Sequence, residues 1–179
     1  MFSKFRIIPL CLAATALLSA SPALSRDKDT VFFESVAGTW KGPGEIVAGK
    51  YKGTKFVCNL IGDSVEGIAV GISLDGTCRV GVFNQKMSAL ITRKGKTYTG
   101  RFLDGSAGDG LDIVSGKITG DRAVMAINRK TLDGAMIARL HDEETMNVTI
   151  SVKVGKEMVP VIGMTLKRGA QKITTGALR

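Results

Sequence analysis

The side chains that invite chemistry in this sequence are few. The single histidine, His141, is followed by Asp142, Glu143 and Glu144. An imidazole among carboxylates can hold a metal ion or exchange protons. The same four residues also fit a solvated hairpin tip between two alternating runs, and this is the reading the local pattern favours. A hydrolytic nucleophile needs a base within hydrogen-bond reach. With one histidine and no Gly-x-Ser-x-Gly elbow, the chain offers no such pair. Gly95-Lys96-Thr97 resembles the end of a phosphate loop. The glycine required five positions before Gly95 is instead Leu90, and the setting is strand–turn–strand. Asp104, Asp109 and Asp112 lie in a glycine-rich stretch that could offer oxygen ligands to calcium. Their spacing fits no established loop, and two Asp-Gly turns explain them as well. No metal, cofactor or catalytic residue is therefore expected.

The cysteines carry a different chemistry. Cys11 lies in an apolar N-terminal run, which leaves Cys58 and Cys78 as a pair. In an oxidising compartment an even pair reads as one disulfide. By hairpin signals alone, Cys58 precedes a turn at Gly62-Asp63 and Cys78 follows one at Asp75-Gly76. Their strands would then flank a third and stand ~10 Å apart, too far for a bridge. A disulfide thus requires a cysteine beyond its strand's end, or an order other than a plain meander.

The elements that position these residues are strands. Ile68, Val70, Ile72 and Leu74 alternate with Ala69, Gly71 and Ser73, and Met146, Val148, Ile150, Val152 and Val154 alternate with polar residues. Val124 and Ala126, then Met136, Ala138 and Leu140, continue the period of two. Turn signals recur near every ten residues: Gly62-Asp63, Asp75-Gly76, Lys94-Gly95, Asp104-Gly105, Gly120-Asp121, Asp133-Gly134 and Gly155-Lys156. About 8–10 antiparallel strands in sequence order, apolar on one face, must close into a barrel or barrel-like sandwich. The expectation is an all-β, single up-and-down barrel over 26–179. A short helical turn precedes it, capped by Asp29 or Thr30, with Phe32 and Phe33 sealing one end.

Residues 1–25 fit an export signal: Lys4 and Arg6, then an uncharged run from Ile7 to Ala20, then Ala23-Leu24-Ser25 before Arg26. Fourteen apolar positions fall short of the ~20 that span a bilayer. Cleavage after Ser25 leaves 23 basic and 16 acidic residues, net +7. The basic residues are spread over hairpin tips and the tail, and few aromatics, Tyr98 among them, adjoin such clusters. That pattern and the compartment argue against nucleic acid. Anionic envelope lipids or glycans remain suitable partners. Asn147-Val148-Thr149 matches a glycosylation sequon inside a strand.

Gly38-Thr39-Trp40, with the only tryptophan at the first strand after a helical turn, and Lys167-Arg168 on the last strand resemble the calycin superfamily. That superfamily comprises the lipocalins, avidins, fatty-acid-binding proteins and bacterial metalloprotease inhibitors. The resemblance implies that Trp40 packs across the barrel's closed end beneath Arg168 or Lys167. The export signal points to a periplasmic or secreted protein, and the missing nucleophile–base pair to a non-enzymatic one. The apolar alternation and the Gly-x-Trp start suggest that it binds a small apolar or amphipathic ligand or a cell-envelope component. The alternative is an interaction role, as a periplasmic protease inhibitor using Arg26–Ser35 or as an envelope-assembly factor. Avidins hold their ligand between several tryptophans, and the inhibitors are considerably shorter than this domain.

Overall fold

A computed structural model describes residues 26–65, 70–103 and 111–169. The segment 1–25, the alternating positions Ile68 and Ala69, the stretch holding Asp104 and Asp109, and the C-terminal Lys172 and Arg179 lie outside these residues. One helix, α1 (Lys28–Val36), comes first. Its N-cap is Asp27, two residues earlier than the expected Asp29. The Asp27 carboxylate accepts from the N–H groups of Asp29 and Thr30, at 2.9 and 3.3 Å, two and three positions onward. Gly38 follows at φ +108°, a conformation that turns the chain from helix into strand.

Ten strands are present among the described residues: β1 (Gly38–Ile46), β2 (Lys55–Ser64), β3 (Gly71–Val80), β4 (Phe83–Lys94) and β5 (Thr97–Leu103). They continue as β6 (Leu111–Thr119), β7 (Arg122–Arg129), β8 (Leu132–Asp142), β9 (Thr145–Val154) and β10 (Glu157–Arg168). Each pairs antiparallel with its sequence neighbours, and β10 pairs with β1, so the sheet closes on itself as a plain up-and-down barrel. Closure leaves no free edge to template aggregation. The connections β1–β2, β3–β4, β5–β6, β7–β8 and β9–β10 share one end. The remaining connections share the other end with α1 (the helical end).

Tight two-residue turns other than Glu143-Glu144 follow one rule. Gly81, Gly95, Gly120 and Gly155 each take the first central position, with φ between +57° and +63°. Glycine meets that demand without steric cost. Lys130 fills the equivalent position between β7 and β8 at φ +55°, as a residue with a Cβ.

Three expected turns are corrected by this arrangement. Gly62-Asp63 lies within β2, Asp75-Gly76 within β3 and Asp133-Gly134 within β8. Gly76 is there for close approach, since a Cβ on it would stand 2.1 Å from the Asn59 carbonyl oxygen of β2. With no turn at either dipeptide, β2 and β3 are direct neighbours and Cys58 faces Cys78 in register. The meander is plain, both cysteines lie within their strands, and a 4.0 Å Cα separation accommodates a disulfide.

The inner face supplies the core. On β7 it is formed by Ala123, Met125 and Ile127, with Val124 and Ala126 half-exposed. This corrects the phase expected for that strand. Both faces of the run from Ala123 to Ile127 are apolar, so hydrophobicity alone could not choose between them. Trp40, Tyr98, Met125, Leu166 and Cys58 are the largest fully buried side chains. Outward positions carry Lys41, Arg101, Lys117 and Arg139.

Candidate functional site: a methionine-lined interior

The helical end of the barrel is stoppered. Phe32, Phe33 and Val36 of α1 are buried, and the Phe33 ring meets Tyr98 of β5 edge-on at 5.6 Å. The Trp40 indole N–H donates to the Val36 carbonyl at 2.9 Å, tying β1 to the last turn of the helix. Arg168 and Trp40 are register partners on the closing strands, and the guanidinium carbon lies 4.3 Å from the Trp40 ring centre. Its N–H groups donate to three backbone carbonyls, Ser35 at 2.7 Å, Ala37 at 2.8 Å and Glu143 at 2.8 Å. One side chain thus gathers the end of α1, the β8–β9 turn and the tryptophan. Lys167 does not share this role. It points the other way, donating to the Thr145 hydroxyl at 2.6 Å.

A polar latch holds α1 from outside. Arg93 of β4 donates to Asp27 at 2.6 Å and reaches Asp29 at 3.5 Å, and Tyr98 Oη donates to Asp29 Oδ2 at 2.5 Å. The hydrogen bond from Arg93 lowers the pKa of Asp27 below its ordinary value, aided by the backbone N–H groups of its own cap. Burial pushes the Tyr98 phenol well above its ordinary value. The neighbouring Asp29, whose carboxylate would repel a phenolate, adds to that effect.

Beyond this stopper the barrel holds an apolar cavity of about 100 Å³. Five methionines, Met87, Met125, Met136, Met146 and Met164, line it, together with the Cys58–Cys78 disulfide and aromatic rings including Trp40 and Phe102. Thioether side chains are unbranched and polarisable, and they reshape around irregular guests. Apolar cavities of ~150 Å³ in other proteins stay dry and take up benzene-sized molecules, whereas drug-sized sites need ~300–1,000 Å³. The interior therefore has room for a compact guest of a few heavy atoms, not for a lipid chain lying full length.

His141 and Asp142 are the exposed last residues of β8, before the turn at Glu143 and Glu144. Hydrogen bonds from the Thr145 side chain and the Glu144 N–H lower the pKa of the Asp142 carboxyl. No three of the described His, Cys, Asp or Glu side chains come together as a metal site. Asp112 pairs with Arg101 at 3.7 Å across the β5–β6 ladder.

Sequence reasoning found Trp40, Arg168 and the two cysteines but did not bring the methionines together as one lining. The signal was present in the period-2 phase of β7 to β10, where Met125 faces Met136 across the ladder.

No family model matches the sequence, and no curated protein sequence matches it. Among solved structures, the chain is similar to the crystal structure of Rv2717c from M. tuberculosis, with a TM-score of 0.56 at 12% identity. That match covers 79% of this chain and 97% of the other. At such identity the likeness concerns the barrel fold alone.

Proposed function

We propose that the chain is exported to the periplasm (or secreted), loses residues 1–25, and acts as a non-enzymatic barrel that holds a compact apolar ligand. The observation that carries this reading is the methionine-lined cavity, which has room for a guest and almost no polar group to orient a reaction. The export signal supports the address, and the disulfide fits an oxidising compartment. The stack of Arg168 on Trp40 supports grouping the barrel with the calycins. The inhibitor alternative loses support at Arg26–Ser35. Phe32 and Phe33 are buried and Asp27 is ion-paired to Arg93, so this segment is held on the barrel and is no free arm.

The test has two arms. Intact mass of protein recovered from the producing cell should correspond to a chain starting at Arg26 with one disulfide. Titration with benzene, followed through methionine methyl resonances, should then shift Met125, Met136 and Met164. The exposed Met158 should stay unmoved. Equal or absent shifts at all four methyls reject the ligand reading.

A further inference from the structure

The two ends of the barrel have opposite chemistry. Turns at the helical end are polar, with Lys94-Gly95-Lys96, Gly120-Asp121 and Glu143-Glu144 at their tips. The described turns at the far end carry exposed apolar side chains on or beside them. Of the thirteen exposed large hydrophobic residues among those described, nine sit there. Val82 and Phe83, at the β3–β4 hairpin tip, are 85% and 77% exposed. Tyr51 of the β1–β2 connection, Leu132 after the β7–β8 turn, and Val154 and Met158 around the β9–β10 turn stand on the same rim. Since alternate connections of an up-and-down barrel must share an end, these side chains gather on one rim.

Cations accompany each apolar tip. Lys50 and Lys52 flank Tyr51, with Lys50 Nζ 5.5 Å from its ring centre. Arg79 precedes the Val82 turn, Lys130 precedes Leu132, and Lys153 and Lys156 bracket Val154. The acidic side chains flanking these turns are Glu45, Asp133 and Glu157. Asp133 is occupied by Asn128 at 2.8 Å. At the helical end Arg26, Arg93 and Arg139 each have a carboxylate partner, as Arg101 has in Asp112 toward the far end.

Exposed aliphatic and aromatic tips ringed by lysines match the interface of an anionic bilayer. There, apolar side chains enter the acyl boundary while ammonium groups stay among the phosphates. The barrel wall does not suit a spanning barrel, which needs an outward apolar band. Lys41, Arg101, Lys117 and Arg139 face outward instead. No described helix is long and apolar enough to cross a membrane. We infer that the far rim is a docking surface for an anionic phospholipid membrane, led by the Val82-Phe83 hairpin tip and steered by the lysines of the neighbouring turns. This inference stands apart from the ligand reading, because it needs only the rim and not the cavity.

The test compares full chains carrying rim substitutions with the unmodified full chain, each bound to vesicles. Any affinity contributed by residues 1–25 is then common to all and cancels. Vesicles of phosphatidylcholine containing phosphatidylglycerol should bind the unmodified chain, and pure phosphatidylcholine should bind it weakly. Val82→Ser with Phe83→Ser should lower partitioning on the order of tenfold. Lys52→Gln with Lys156→Gln should lower it about fivefold per lysine on the anionic vesicles only, an effect that added salt erases. Trp40 lies buried at the opposite end, so its unchanged emission shows that each variant has folded. Should the apolar double variant fail to fold, the lysine pair decides alone. Equal binding to both vesicle types, or undiminished binding of the folded variants, overturns the inference.

Discussion

Tyr98 of β5 and Asp29 of α1 meet through a 2.5 Å hydrogen bond, phenol donating to carboxylate, across 69 residues of sequence. With Arg93 beside them, they fasten the helix whose phenylalanines plug the barrel. Tyr98→Phe should cost about 1.5–3 kcal/mol in chemical denaturation, as expected for a hydrogen bond to a charged group.

The same latch predicts pH limits on both sides. Asp27 has a lowered pKa in the folded chain. Its contribution is therefore present above the unfolded value near ~4 and is lost as the pH falls further. Amide exchange in α1 should accelerate in that acid range, and Asp27→Asn should remove the dependence. Tyr98 has a raised pKa. Its contribution is present below about pH 10 and is lost as the pH rises, because the unfolded chain ionises first. Absorbance at 295 nm should show one phenol that ionises only when the fold is lost.

Arg168 joins one aromatic face to three carbonyls, a fork geometry that an ammonium cannot reproduce. Arg168→Lys should destabilise by roughly 1–3 kcal/mol and red-shift the Trp40 emission as water reaches the ring. Lys167→Gln, on the outer face of β10 though adjacent in sequence, should leave that emission unchanged.

Reduction of Cys58–Cys78 releases a loop spanning a sequence separation of 20. Chain entropy sets its contribution at about 3 kcal/mol. For a domain of this size the midpoint of thermal unfolding should fall by roughly 6–12 °C in reductant. Cys58→Ala with Cys78→Ala should reproduce the fall and then show no response to reductant.

Lys130 carries a Cβ in a left-handed conformation that its four counterpart turns assign to glycine. Lys130→Gly should therefore stabilise the barrel by about 0.5–1 kcal/mol in denaturant titration.

These particulars show what the sequence exposes and what it hides. The barrel was legible because period-2 alternation and closely spaced turns leave a ten-strand sheet no way to bury its face except by closing. The turns themselves were half legible. Glycine followed by another residue marks the true hairpins at Gly120 and Gly155, whereas Asp-Gly at Asp75 and Asp133 marks points where neighbouring backbones press together. The Gly81-Val82 turn went unmarked because valine and phenylalanine read as strand, although there they are an exposed tip. The false turns at Gly62-Asp63 and Asp75-Gly76 are what separated the cysteines. The cavity was not legible at all, since an inward methionine looks the same in sequence whether its neighbours touch it or leave a gap.

Closure through β1 and β10 also fixes how the barrel would yield under tension. The chain enters β1 and leaves β10 at the same end, where the Gly169 N–H still donates to the Thr39 carbonyl. A pull on the two termini loads that ladder from its end, so its hydrogen bonds would break one after another and not together. The zipper would then run inward until it met the sulfur bridge between β2 and β3. Beyond that point the segment spanning a sequence separation of 20 stays looped, withholding roughly 70 Å of extension.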